Sequence, residues 1–285
     1  MLRQRVITAL VLVALLLISL TASSRWPFAL LTLVLMAAGG WEWGRLNRAG
    51  RLGAWLTGLG VAAAGVMALA LGWSDARPPL LWWLALALWL LAGTWALRRG
   101  PARWPQWPRL ARLGLGLLGL WAAWLALSQA RAVGINFMLS LLCLVWMADI
   151  AAYFGGKAWG RRKLAPSISP GKSWEGVWAG MAGVVALALL WIALDRRLGF
   201  DGPSLYSRLL ASLGPAGLVL ALLALCGLSV VGDLVESLVK RAAGAKDSSG
   251  LLPGHGGVLD RVDALLPVLP AALALLALAT VLGPR

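Results

Sequence analysis

Apolar runs long enough to cross a hydrocarbon layer recur along the whole chain, and arginine, glycine or proline separates most of them. A bilayer core of roughly 30 Å needs about 20 consecutive apolar residues in a helix. Nine runs approach or meet that length, at about 6–22, 26–44, 53–73, 79–97, 110–130, 133–152, 175–194, 211–235 and 264–282. The fifth and sixth nearly touch, which leaves a re-entrant hairpin open there. The first run follows Arg3 and Arg5, as the apolar stretch of a signal peptide would. No small-residue cleavage site comes after it and eight more spans do, so it reads as a retained span. The pattern predicts an all-α, polytopic integral membrane protein of about nine transmembrane helices. Its N-terminal spans cover 1–130, and a C-terminal transmembrane region, 131–285, carries polar loops at 153–175 and 236–263.

Composition agrees. Sixty per cent of the residues are hydrophobic, 13% are charged, and the mean hydropathy is +0.81. A soluble domain carries about 25% charged residues. Cys143 and Cys226 lie inside apolar runs and read as small buried hydrophobes rather than a disulfide or metal pair. Of 18 tryptophans, Trp26, Trp41, Trp43, Trp73 and Trp174 flank spans as an interfacial belt would, whereas Trp82, Trp83, Trp89 and Trp95 read as packing.

Basic residues set the orientation. With nine spans, one side holds Arg3, Arg5, Arg45, Arg48, Arg51, Arg98, Arg99, Arg103, Arg109 and Arg112. The same side holds Lys157, Arg161, Arg162, Lys163, Lys172, Lys240, Arg241, Lys246 and Arg261, nineteen in all. The other side holds seven: Arg25, Arg77, Arg131, Arg196, Arg197, Arg208 and Arg285. The positive-inside rule makes the first side cytoplasmic, with the N-terminus inside and the C-terminus outside. The net charge of +15 is spread over short interhelical loops without a basic arm, which argues against nucleic acid and for topology and anionic headgroups.

Eleven acidic residues remain. Glu42, Asp75, Asp195 and Asp201 fall singly near span ends; the other seven gather in two stretches on the basic side. Ionisable groups near membrane depth are costly and mark function by default. The first stretch runs from Asp149 through Lys157, Lys163, Ser169, Lys172 and Ser173 to Glu175. Basic residues alternate there with glycine, serine and proline, and Ser173 and Glu175 are placed to cap the seventh span. That composition suits phosphate oxygens at a helix N-terminus, and equally an ordinary basic loop with a cap. Gly171-Lys172-Ser173 is not a P-loop, because the earlier glycine is out of register and no strand precedes it.

The second stretch is richer. Asp233, Glu236, Ser237 and Lys240 fall at i, i+3, i+4 and i+7, one stripe on one helix face. A loop follows with Arg241, Lys246, Asp247, His255, Gly256 and Gly257, and the chain re-enters a helix at Asp260-Arg261-Val262-Asp263, where Asp260 and Asp263 share a face. Four carboxylates thus bracket a glycine-rich loop, a setting for Mg2+ shared with substrate phosphates. Lysine and arginine nearby would neutralise charge that builds up on phosphoryl or nucleotidyl transfer. His255, the only histidine, has no cysteine near it and cannot build a zinc site alone; it orients the loop or donates to phosphate.

These residues resemble a known signature. Ser237-Leu-Val-Lys240-Arg241, Lys246-Asp247 and Leu252-Pro253-Gly254-His255-Gly256-Gly257-Val-Leu-Asp260-Arg261-Val-Asp263 are similar to the signature of the phosphatidate cytidylyltransferase (CDP-diacylglycerol synthase) family. Lys163-Leu-Ala-Pro166 and Ser169-Pro170-Gly-Lys172-Ser173-Trp-Glu175-Gly176 resemble a second block of that family. The likeness spans roughly 146–270; Ile150 and Ala151 depart from it, standing where many members place a hydroxyl residue and a glycine.

The resemblance implies transfer of CMP from CTP to phosphatidate, giving CDP-diacylglycerol and pyrophosphate in phospholipid biosynthesis. It also implies Mg2+, with room for a second, monovalent cation such as K+, and a homodimer in the bacterial inner membrane. By analogy Asp233 and Asp260 are the metal ligands, with Asp263 and Asp247 as further choices. Lys240, Arg241, Lys246, Asp247, His255 and Arg261 are the catalytic candidates. Lys163, Ser169, Lys172, Ser173, Ser237, Gly256 and Gly257 are the substrate-binding ones. The partners are CTP, phosphatidate and membrane lipid, with the active site facing the cytoplasm.

Three rivals fare worse on the residues. A transporter would place its ionisable groups near mid-bilayer on broken helices in repeats, and here they cluster at one face without a repeat. Another lipid phosphotransferase or lipid kinase shares the physical logic and is separated only by the signature. A non-catalytic scaffold would not need four carboxylates beside a glycine loop.

Overall fold

The apolar runs become helices. A computed structural model describes residues 2–75 and 79–282, so Arg77 and Arg285, counted above on the sparser side, lie outside the described residues. The helices are α1 (Leu2–Thr21), α2 (Trp26–Leu46), α3 (Gly50–Ala70), α4 (Pro79–Leu88) and α5 (Thr94–Arg99), then α6 (Arg109–Val133), α7 (Ile135–Trp159) and α8 (Trp174–Asp195). They continue as α9 (Leu205–Ala243), the short α10 (Leu259–Val262) and α11 (Leu265–Leu282). Among the described residues seven helical stretches are long and apolar enough to cross a membrane, with α4–α5 and α10–α11 each acting as one stretch. The protein is therefore an all-α polytopic membrane protein, and the count of nine goes beyond these seven.

Three local features differ from the sequence reading. Only Gly134 (φ 155°) separates α6 from α7, yet each is a full 25-residue helix, so the pair is two spans rather than a re-entrant hairpin. The eighth run begins earlier than its apolar stretch, because α9 starts at Leu205 and breaks at Gly214 (φ 68°, ψ −179°), where Pro215 opens its long second part. The basic loop after α7 folds into an antiparallel hairpin, β1 (Lys163–Ala165) with β2 (Ser169–Ser173), pairing Lys163 with Ser173 and Ala165 with Ser169.

Helix α7 packs on α8 through small residues. A Cβ added at Gly176 would stand 2.8 Å from the Ala152 carbonyl oxygen, and one at Gly180 would stand 2.9 Å from that of Ala148. In lipid, helix association relies on such close backbone approach. Gly176→Val forces α7 and α8 apart. Overpacking of this kind costs about 1–3 kcal/mol, and we expect the thermal midpoint in detergent to fall by about 5 °C together with turnover. An unchanged midpoint would show that the crossing tolerates the bulk.

Two ends of the bundle carry the polar side chains. At one end the 100–108 loop is tied to α2 and α6: Asn47 Oδ1 accepts from Trp104 Nε1 at 2.9 Å and from an Arg112 NH group at 3.2 Å. Trp43 is buried there, donating to the Arg112 carbonyl at 2.8 Å, so it is a packing residue and not part of an aromatic belt. Trp26, Trp73 and Trp174 are exposed near helix ends, as a belt requires. At the opposite end Asp201 caps the start of α7 through the N–H of Asn136 at 3.0 Å, and Asn136 donates to Asp195 at 2.9 Å. Asp75 meets Arg25 at that same end. Asp195 and Asp201 are thereby structural, whereas Asp75 forms an exposed ion pair. The nineteen basic positions flank the glycine-loop end, the side chains of Arg3 and Arg5 lying outside the described residues.

Candidate active site

Helices α7, α8 and α9 and the β1–β2 hairpin enclose a cavity of about 540 Å³ at the glycine-loop end, lined among others by Asp149, Ser169, Lys172, Ser173, Ser229 and Asp233. Ser173 starts α8 as its N-cap, its hydroxyl accepting from Gly176 N–H at 3.2 Å. Glu175, in the first turn of α8, faces its own backbone N–H and also reaches back along the chain. Its carboxylate accepts the backbone N–H groups of Arg161 and Arg162, each at 3.1 Å, and so fixes the turn that leads into the hairpin. The hairpin in turn carries Lys172 across to α9, where its Nζ lies 2.6 Å from Asp233 Oδ2.

The polar stripe of α9 does face one way. Lys240 Nζ lies 2.6 Å from Glu236 Oε2 on its own helix and 2.6 Å from Asp260 Oδ1 on α10. All three are nearly buried, at 12%, 3% and 8% side-chain exposure, which identifies Lys240 as an internal counter-ion rather than a free phosphate grip. Ser237 Oγ donates to Asp233 at 3.3 Å. Asp263 falls within charge range of both Asp233 and Glu236, and Asp149 within range of Asp233. The carboxylates thus share one end of the bundle. Among the described residues no three of them converge into a ready-made metal cage.

Asp260 uses its two oxygens differently. Oδ2 accepts from Ser248 N–H at 2.9 Å, Ser248 Oγ at 2.8 Å and Gly257 N–H at 2.8 Å, and so holds the loop; Oδ1 carries only the Lys240 ammonium. The loop itself is a tight turn in which Leu252 N–H donates to Gly256 O at 2.8 Å. Gly256 has φ +82°, and a Cβ on it would stand 2.8 Å from Asp260 Oδ2, so both backbone and space demand glycine. Arg261 donates twice to the His255 carbonyl, at 3.0 and 2.6 Å, and Arg241 donates to the Ile168 carbonyl at 3.3 Å, tying the loop and the hairpin to α9 and α10. His255 Nδ1 is buried without a partner among the described residues. Lys163, Lys246 and Asp247 are exposed and do not line the cavity.

Sequence reasoning missed the residue that anchors this loop. Glu42, on α2 and fully buried, accepts from Ser248 Oγ at 3.1 Å, Ser249 Oγ at 2.5 Å, Val258 N–H at 2.9 Å and Leu259 N–H at 2.7 Å. The Ser248 hydroxyl has one proton and stands between Glu42 and Asp260, so it is shared; the other three donors belong to Glu42 alone and offset the burial of its charge. A Cβ at Gly257 would run into both Ser248 Oγ and Glu42 Oε1, so the glycine there answers to Glu42. Thr8 on α1 adds a bond to the Pro253 carbonyl at 3.0 Å. The N-terminal spans, which offered no candidate by sequence, therefore hold the glycine loop in place.

Comparison with known proteins adds an independent line. The family model described as the cytidylyltransferase family matches residues 3–279. A phosphatidate cytidylyltransferase of Pseudomonas aeruginosa is 43% identical over 282 residues, covering 97% of this chain and 97% of that protein. Proteins of the same name from Haemophilus influenzae and Bacillus subtilis are 44% and 42% identical over 137 and 148 residues. Those matches cover 48% and 51% of this chain and 44% and 49% of the two relatives.

Proposed function

The chain belongs to the cytidylyltransferase family, and from that premise we infer that it is a phosphatidate cytidylyltransferase, a nucleotidyltransferase that moves CMP from CTP to phosphatidate and releases pyrophosphate. One observation carries the reading at the level of residues. An ion pair, Lys172–Asp233, and a lysine-bridged carboxylate pair, Glu236–Lys240–Asp260, stand with a cavity of about 540 Å³ at one end of a membrane-spanning bundle.

The donor set fits Mg2+. That ion takes one or two protein carboxylates and completes its shell with water and substrate phosphates, so a three-carboxylate cage is not required. Asp233 and Asp260 Oδ1 would hold it, with Asp263 as a further choice, and a second, monovalent cation such as K+ rests on the family resemblance. When bound, the metal neutralises phosphate charge and aligns the two substrates.

The chain's own residues do the rest. A phosphate monoester has a second pKa near about 6, so phosphatidate arrives largely dianionic and needs no general base. Its oxygen forms the new bond to the α-phosphorus of CTP, while the bond from that phosphorus to the β-bridging oxygen breaks and its electron pair leaves with pyrophosphate. Lys172, which reaches into the cavity, offsets the repulsion between the two anions. Ser169, Ser173 and the backbone around Gly171 present hydroxyl and N–H donors to phosphate oxygens. Lys240, Arg241 and Arg261 keep the carboxylates and the loop in position. The lipid enters sideways between exposed Tyr153, Phe154 and Trp174 on α7 and α8.

The basic excess at this end supports a site on the cytoplasmic face of a bacterial inner membrane, where CTP is dissolved. The homodimer rests on the family resemblance. The test supplies purified protein with radiolabelled CTP, Mg2+ and, in separate reactions, phosphatidate or other phospholipids. We expect labelled liponucleotide with phosphatidate alone; label on another lipid, or on none, would contradict the assignment.

A further inference from the structure

A second polar cavity lies at the end of the bundle away from the glycine loop. The α1–α2 turn, the C-terminal end of α3 and the C-terminal end of α6 enclose about 410 Å³, with Ser24, Arg25, Trp26, Asp75, Ser128 and Arg131 in its wall. Nothing in the reaction described above uses these residues.

Two of its polar atoms are buried and lack partners among the described residues: Ser128 Oγ, on a residue only 6% exposed, and Arg131 Nε. A serine inside a helix ordinarily turns its hydroxyl back to a carbonyl one turn earlier, and this one does not. A buried donor left unmatched costs about 1–3 kcal/mol, so the wall is built to meet an acceptor. Arg131 is itself fixed, because its NH2 group donates to the Leu20 carbonyl at 3.2 Å. Arg25, 54% exposed at the mouth, stands at the start of α2. Asp75 lies 2.5 Å from Arg25 and competes for it.

Depth narrows the ligand. Trp26 lines the cavity at 56% exposure, and Trp73, next in sequence to Ser74 of the wall, is 39% exposed, the placement of tryptophan at headgroup level. An acceptor that meets two arginines and a hydroxyl at that depth is an anionic phosphate. We propose that this cavity binds the headgroup phosphate of an anionic phospholipid from the leaflet away from the catalytic end, with Arg131 and Ser128 as inner donors and Arg25 as the outer one. Asp75 sets the affinity by holding Arg25 back.

The experiment is native mass spectrometry of the full-length protein in neutral detergent, titrated separately with phosphatidylglycerol, phosphatidylcholine and inorganic phosphate. Wild type should retain phosphatidylglycerol in preference to phosphatidylcholine. Arg131→Gln should lose one retained phosphatidylglycerol, with at least a tenfold weaker apparent affinity at that site. Arg25→Gln should weaken retention several-fold, and Asp75→Asn should strengthen it several-fold. The last two are exposed positions at which folding is not at stake, and their opposite signs would not arise from general destabilisation. Equal retention by wild type and all three variants would overturn the site. Retention of inorganic phosphate without phosphatidylglycerol would overturn the lipid as its ligand.

Discussion

Asp260→Asn should reduce turnover at least about a thousandfold, the equivalent of some 4 kcal/mol of lost transition-state stabilisation, while the protein still inserts and folds. The two oxygens of Asp260 explain why the effects separate. An asparagine can place its amide oxygen at the Oδ2 position and keep the bonds from Ser248 and Gly257, so the loop stays where it is. The Oδ1 position then carries an NH2 group facing Lys240, and the charge that would hold a divalent ion is gone. Lys240 keeps Glu236 as its remaining partner. Asp260→Ala releases the loop as well, and should add protease sensitivity between residues 248 and 257 that Asp260→Asn lacks. Normal turnover of Asp260→Asn would remove this carboxylate from the chemistry.

Glu42→Gln should cost nearly as much from the other half of the chain. The glutamine oxygen can accept from one pair of donors, and its NH2 group then faces the other pair. Each pair holds one serine hydroxyl, which can turn to accept from the NH2 group, and one backbone N–H, which loses its acceptor at a cost of about 1–3 kcal/mol. A shift of up to about 3 kcal/mol toward an open loop lowers its closed-to-open ratio by up to about a hundredfold. We expect turnover to fall by up to about a hundredfold and the 248–257 loop to become cleavable, with the helical bundle intact by circular dichroism. A Glu42→Gln enzyme with ordinary turnover and a protease-resistant loop would show that this anchor is dispensable.

The contrast between these two residues shows where the sequence was legible. Asp260, Asp233 and Lys240 stand in a polar stripe and a glycine-rich loop, so period and composition alone bring them together on one helix face and its neighbour. Glu42 sits between two tryptophans in an apolar helix, and its partners are 206 to 217 residues away. Arg45, three residues on, offers an ordinary surface partner on paper; in the structure its guanidinium lies 4.7 Å over the Trp41 ring instead. The usable signal was a lone carboxylate at membrane depth, which is costly wherever it occurs and not only in clusters.

The same limit governs the other differences. Helices of 20 or more residues declare themselves by hydropathy, whereas strands of three and five residues holding Pro170 and Gly171 have no period to read. The break in α9 was hidden because the apolar run continues across it, although Gly214-Pro215 is the usual punctuation for one. Asp149 shows the converse. Ile150 and Ala151 depart from the family pattern around it, yet Ile150 is 54% exposed toward lipid and Ala151 packs against Gly183, leaving Asp149 on the cavity wall. The role of Lys240 also depended on three dimensions, since only the fold shows its ammonium shared between two carboxylates.

The central claim is that Asp233 and Asp260 together capture a divalent cation at the glycine-loop end. Electron paramagnetic resonance of Mn2+ substituted for Mg2+, titrated into purified protein with CTP present, tests it without relying on turnover. Wild type should show protein-dependent Mn2+ binding beyond that of CTP alone, and Asp233→Asn and Asp260→Asn should each abolish the excess. Undiminished Mn2+ binding in both variants would contradict the account.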